Sequence, residues 1–235
     1  MTRAYLAFTA KGLALAQKLA AAYPGSVTRC GHEAGQVHLA DWTARQFAGS
    51  DALVFVGAVG IAVRAIAPHC RSKASDPAVV VLDECGRFAV PVLSGHLGGA
   101  NNLARALAAV CGAVPVITTA TDAHGIFAVD EWAKHQNCMV LEPERIKLVS
   151  GKLLAGQPVY YRTDFPVTGT VPAGLLPADT PEKADFALTL CPTGQALHLV
   201  PRIGVLGIGC KRGTSAETLE VASVSYTHLR AHETP

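Results

Sequence analysis

Apolar residues in the first 140 positions fall into two alternating textures. AYLAFT (4–9) and ALVFV (52–56) are short continuous apolar runs, the pattern of strands buried on both faces. KGLALAQKLAAAY (11–23), GAVGIAVRAIA (57–67) and VDEWAKHQN (129–137) carry the Ala/Leu-rich pattern of helices, with stops at Pro24-Gly25 and Pro68. GHLGGANNLARALAAVCG (95–112) predicts a Gly-rich loop feeding a helix, and VPVITTATD (114–122) a strand and then a loop. AVVVLDE (78–84), the turn at Cys85-Gly86 and RFAVPVL (87–93) predict an antiparallel hairpin. Strands alternating with helices imply βαβ crossovers. The fold class expected for 1–139 is therefore α/β, a three-layer, mainly parallel sheet with one antiparallel hairpin.

The texture changes near residue 140. Positions 144–155 look helical, and 159–162 and 185–190 strand-like, but seven of the fourteen prolines lie between 158 and 201. Proline removes a backbone donor and is barred from central strands and helix interiors. Residues 140–200 are thus expected to form a small, loop-rich α/β middle domain. RIGVLGIG (202–209) and GTSAETLEVA (213–222) predict a strand and a capped helix. Residues 201–223 alone are too few for a core, so they are expected to open a truncated third domain. No period continues over 224–235, which is expected to be a non-native tail.

Composition narrows the partners. The chain has 235 residues, a net charge of +2 and 6% aromatics, so neither the basic excess nor the stacking platforms of a nucleic-acid binder are present. The longest apolar stretch, 52–63, falls short of the roughly 20 residues that span a bilayer, so no membrane partner is expected. Seven dispersed cysteines without a CxxC fit a reducing cytoplasm rather than a disulfide or zinc framework. No metal ligand set is assigned, and a homodimer is left open.

Candidate chemistry gathers in three loops of small residues that follow strands: GAVGIAVR, SGHLGGANN and TTATDAHG. In open α/β sheets ligands bind beyond the carboxyl ends of strands, and glycines and helix N-termini there accept anions. Three such loops on one edge predict a ligand with several carboxylates or phosphates. Gly57, Gly60, Gly98 and Gly99 would admit it, or would only make turns. His96 suits proton transfer near neutrality, or merely hydrogen-bonds backbone. Ser94 and Gly95 share its loop, but S-G-H-L-G is not a nucleophile elbow. Asn101 and Asn102 could orient carboxylates, or merely sit in the first helical turn. Thr118, Thr119, Thr121 and Asp122 could bind carboxylates or position water, or could cap and turn the chain. Arg64, alone in an apolar helix, is either a snorkelling surface residue or an anion clamp. Asp130 and Glu131 fit the first turn of a helix, where acids interact favourably with the macrodipole.

SGHLGGANNLARALA, continued by PVITTATDAHGIFAVDEWA, resembles the CbiG family of anaerobic cobalamin biosynthesis. GAVGIAVRAIAP and AVVVLDECGRFAVPVLSGHLGG match its N-terminal domain, and GIGCKRGTSAE (207–217) resembles the opening of its C-terminal domain. The resemblance implies hydrolysis of cobalt-precorrin-5A. Water opens a δ-lactone and acetaldehyde leaves, giving cobalt-precorrin-5B. The cobalt is carried by the substrate, so no cofactor is implied. By residue type and loop position rather than by the resemblance, His96 would shuttle the proton and Asp122 orient water. The amides of Gly98 and Gly99, with Thr119 or Thr121, would stabilise the oxyanion, while Arg64 and Asn101 would hold peripheral carboxylates. A non-catalytic corrinoid-binding module and a nucleotide- or sugar-phosphate-binding α/β enzyme are the alternatives.

Overall fold

Residues pointing alternately to the two faces of a fully apolar strand demand cover on both sides, and the chain supplies it. The computed structural model of the chain describes residues 1–31, 36–72, 75–203 and 207–230. The first sheet is built from β1 (Arg3–Ala7), β2 (Ser26–Arg29), β3 (Ala52–Val56), β4 (Ala78–Leu82), β5 (Phe88–Leu93) and β6 (Val114–Pro115), in the order β2-β1-β3-β4-β5-β6. Tyr5, Val54, Val56, Val80 and Leu82 pack against α1 (Ala10–Ala22) and α4 (Ala100–Cys111). Leu6, Leu53, Phe55, Val79 and Val81 face the other way, towards α2 (Leu39–Gly49) and α3 (Val59–Ile66). The result is a three-layer sandwich. The Thr9 hydroxyl caps α1 by accepting the Gly12 amide at 3.0 Å.

Strand direction decides where the loops go. β1 to β4 are parallel, whereas β5 runs antiparallel to β4, with Leu82 opposite Ala89 and Val79 opposite Leu93. β6 is parallel to β5. The chain leaves β3 beside the end of β4, where the Gly57 amide donates to the Leu82 carbonyl at 2.8 Å. It leaves β5 beside the start of β4, where Ser94 Oγ donates to the Asp76 carbonyl at 2.9 Å. With a rise of roughly 3.3 Å per residue, those two edges lie about 13 Å apart.

The expected strand in 114–122 is confined to two residues, followed by the short helix α5 (Ala120–Ala123). α6 (Val129–His135) comes next and packs on a second sheet, made of β7 (Cys138–Val140), β8 (Val159–Thr163), β9 (Leu175–Pro177), β10 (Phe186–Leu188) and β11 (Leu197–Pro201). Its order is β7-β11-β10-β8-β9, with only β7 antiparallel to its neighbour. Val129 and Ala133 of α6 share a core with Ile146, Val149 and Leu153 of α7 (Ile146–Leu154) and with Phe186, Leu197 and Leu199 of the sheet. The prolines obey the donor rule: Pro177 lies on the edge strand β9, and Pro201 ends β11. The fold is α/β with two mixed, mostly parallel sheets.

Met1–Pro201 form one unit and Arg202–Pro235 another. The strand expected at 202–209 does not form over 202–203 or 207–209; positions 204–206 lie outside the described residues. Within the second unit α8 (Ala216–Arg230) is capped by Ser215, whose hydroxyl accepts the Thr218 amide at 3.2 Å. Its backbone is helical through Arg230, where the sequence pattern predicts no period, because backbone hydrogen bonding can carry a helix past its last apolar repeat. Among the described residues no helix is long and apolar enough to cross a membrane.

Candidate active site

The turn after β5 is tight and uses its own amides. The amides of Gly99, Ala100 and Asn101 donate to the carbonyls of His96, Ser94 and Gly95 at 3.0–3.1 Å. Ser94 adopts φ +56°, uncommon for a residue with a Cβ, and its hydroxyl bond to Asp76 holds it there. Gly99 (φ +85°) starts α4. A Cβ on Gly98 would stand 2.3 Å from the Ser94 Cβ and 2.7 Å from the Ser94 carbonyl oxygen, so only glycine fits. The turn exists to present His96.

His96 is held from both sides. Its Nε2 lies 2.6 Å from Asp122 Oδ2, and its Nδ1 lies 3.4 Å from Asp130 Oδ1 on α6. All three side chains are nearly enclosed, at 12%, 11% and 7% exposure. Asp122 is fixed in turn from α4. Arg105 Nη2 contacts its Oδ1, and Asn101 Nδ2 donates to its Oδ2 at 2.9 Å and to Thr119 Oγ1 at 2.8 Å. Thr121 Oγ1 lies 3.5 Å from His96 Nε2, and Lys134 Nζ donates to the His96 carbonyl at 3.2 Å.

These contacts set the charges. The Asp130 carboxylate beside the ring contributes most to raising His96 from 6.5 to about 9, and the Asp122 contact adds to it while burial opposes both. Burial also works against ionised Asp122, but hydrogen bonds from His96, Arg105 and Thr119 outweigh it and hold that carboxyl at about 2. Desolvation pulls Lys134 below its usual range. At neutral pH the ring is therefore an imidazolium, a proton donor rather than an acceptor.

A cavity of about 340 Å³ opens over this group, lined by Ser94, His96, Thr119, Thr121 and Asp130, with Lys147 reaching in from α7. Asp122 is not on its wall. A larger concavity of about 800 Å³ lies against another face of α6, with walls including Phe127, Trp132, Pro158 and Leu176. It lacks the His96 cluster, which lines only the smaller one among these two.

Ser94, Gly95, His96, Asn101, Thr119, Thr121 and Asp122 are thus brought together, with Gly98 and Gly99 as the frame of the turn. Thr118 is exposed and outside the cavity lining. Gly57, Gly60 and Arg64 are not part of this group, which corrects the expectation of one cleft shared by three loops. They follow β3 at the opposite edge, because the β4–β5 reversal carries the 94–99 turn away from them. A Cβ on Gly57 would meet the Phe8 ring at 2.7 Å, so this glycine serves close packing. Arg64 is exposed and folds back towards the Gly60 carbonyl at 3.5 Å. The Gly99 amide, expected in an oxyanion hole, is already bonded to the His96 carbonyl. Asp122, expected to orient water, is turned into the Arg105–Asn101–His96 network. Asp130, Arg105, Lys134 and Lys147 are not singled out by sequence for this site. Arg105 carried a signal, as a lone cation in an Ala/Leu-rich helix; Asp130 looked like an ordinary first-turn acid.

Comparison with known proteins gives a consistent result. Residues 41–122 match the family model described as cobalamin synthesis G N-terminal. The chain is 41% identical over 188 residues to the cobalt-precorrin-5A hydrolase of Salmonella typhimurium, covering 73% of this chain and 54% of that protein. It is 32% identical over 190 residues to the cobalt-precorrin-5A hydrolase of Priestia megaterium, covering 72% and 50%. The chain thus spans about half the length of the curated relatives it matches. A crystal structure of a protein described as a homolog of cobalamin biosynthesis protein G, from Sulfolobus solfataricus, superposes with a TM-score of 0.53 at 20% identity, covering 97% of this chain and 69% of that one. That likeness concerns the fold.

Proposed function

We propose that this chain, a member of the CbiG family by its match over residues 41–122 together with its 41% and 32% identical relatives, acts in hydrolysis of cobalt-precorrin-5A, opening the δ-lactone and releasing acetaldehyde. One observation carries the reading: a charged histidine, clamped between two acids, stands on the wall of a cavity.

Lactone opening needs a polarised carbonyl, a water and a donor for the departing oxygen. Water adds its hydroxyl to the carbonyl carbon, the ring C–O bond breaks, the leaving oxygen takes a proton from His96, and the proton released by the water restores the imidazolium. When that alcohol is deprotonated again, the adjacent C–C bond breaks. Acetaldehyde departs, and the electron pair stays on the macrocycle carbon, which takes up a proton. The Thr121 hydroxyl, buried and on the cavity wall, is the donor suited to the lactone carbonyl. Lys147 takes the peripheral-carboxylate role that Arg64 cannot reach. A volume of about 340 Å³ is at the small end of ligand sites, roughly 300–1,000 Å³, so the lactone edge enters while the rest of the ring stays outside. The cobalt travels with the substrate, and no step needs a cofactor.

The test is acetaldehyde release from cobalt-precorrin-5A. His96→Ala is expected to lower kcat by about 10²–10⁴-fold, the usual worth of a positioned acid or base. A chain that binds the substrate and releases no acetaldehyde would instead be a non-catalytic corrinoid-binding module.

A further inference from the structure

We infer that Asp130 is the general base of lactone opening, taking a proton from the attacking water while His96 Nδ1–H protonates the departing oxygen. This rests on the hydrolase reading above and supplies the group that reading leaves open. The two acids flanking His96 are not equivalent. Asp122 is saturated by His96, Asn101 and Arg105 and lies off the cavity wall. Its short contact fixes the proton on Nε2 and leaves Nδ1 as the working nitrogen, the division of labour of an orienting acid behind a histidine.

Asp130 lies on the cavity wall. Its Oδ1 accepts the Glu131 amide at 3.2 Å. Its 3.4 Å separation from Nδ1 exceeds the roughly 2.7–2.9 Å of a direct charge-assisted bond. An oxygen entering from the cavity can therefore reach both groups. Ser94 cannot serve as a nucleophile instead, because its hydroxyl is buried and donates to the Asp76 carbonyl.

The step balances. Water gives a proton to Asp130 and its hydroxyl to the acyl carbon; the lactone C–O bond breaks; the ring oxygen takes the Nδ1 proton. Asp130 then returns its proton to Nδ1 and the site is reset. The charged groups around His96 are Asp122 with Arg105 of α4 behind it, Asp130 and Lys134 of α6, and Lys147 of α7 across the cavity. Glu131 is held aside by Asn102 at 2.9 Å.

The experiment measures acetaldehyde release from cobalt-precorrin-5A by the full chain, its Asp130→Asn and Asp130→Glu variants, across pH. Asp130→Asn is expected to lower kcat by about 10²–10⁴-fold with KM within about threefold. The alkaline limb of kcat/KM should move to lower pH, because His96 loses the partner that raises it most. Asp130→Glu should recover part of the rate. An Asn variant within about tenfold of wild-type kcat overturns the assignment, as does a large loss with an unmoved alkaline limb, which is the mark of a structural role. Should Asp130→Asn not fold, Asp130→Glu decides: displacing a base by about 1 Å costs up to about 10²-fold, so an unchanged kcat and limb also overturn it. A wild-type chain that binds substrate without releasing acetaldehyde sinks the hydrolase reading itself. Activity in wild type and Asn variant alike sinks only the base.

Discussion

At pH 7 the His96 ring carries its proton because two acids bracket it, and that has a thermodynamic consequence beyond catalysis. A folded-state pKa of about 9 against 6.5 means that the stabilisation from this cation is complete below pH 6.5 and disappears as pH rises through about 9. Asp122 works in the opposite direction. Its value of about 2 against 3.8 gives stability that is present above pH 3.8 and lost as pH falls through about 2. The melting temperature of His96→Gln should therefore fall furthest below wild type between about pH 4 and 6.5. The two curves should converge towards pH 9. A constant offset from pH 5 to 10 in a thermal-melt series would contradict the charge assignment. The sequence marks His96 and Asp122 as titratable loop residues, but it cannot supply their values, which depend on neighbours distant in sequence such as Arg105, 17 positions from Asp122, and Asp122 itself, 26 positions from His96.

Helix α4 does more than cover the sheet. Its first turn carries Asn101, buried, with one amide nitrogen tying Thr119 to Asp122; one turn on, Arg105 holds the other oxygen of Asp122. The positions 101 and 105 are i and i+4, so both side chains rise on one helical face. Asn101→Ala should free Asp122 from that face and let His96 turn. We expect kcat to drop by about tenfold or more with a small KM change, since misplacement of an orienting group acts on the transition state. Steady-state acetaldehyde kinetics check this, and a rate equal to wild type would show that Arg105 alone suffices. The helix itself was legible from its Ala/Leu period and from the glycines at 95–99. Asn101 was singled out as well, but its partners were not, because Asn102 beside it is equally polar and points instead to Glu131.

At the scale of the whole molecule, the site lies where two cores meet. His96, Asn101 and Asp122 follow or flank elements of the first sheet, whereas Asp130 and Lys147 stand on helices that share the core of the second. Arg64 is on the far edge. Arg64→Ala is therefore expected to leave kcat and KM near wild type, while Lys147→Ala raises KM with kcat little changed. Loss of a charged hydrogen bond, worth about 1.5–3 kcal/mol, corresponds to a KM increase of about 10–100-fold. The reverse ranking in the same assay would restore the opposite edge as the binding face. The hairpin predicted at 78–93 already implied this separation. An antiparallel return brings the loop after its second strand back to the edge where the first strand began, so 57–60 and 95–99 could not share an end. Local patterning thus determined the buried strands, the hairpin and the Ala-rich helices, because apolar period and glycine act over a few residues. Only the tertiary structure decided that β6 runs with β5 and that Asp130 closes on His96. Those outcomes depend on strand direction and on the packing of α6 against a sheet formed by residues that follow it, and neither leaves a local trace.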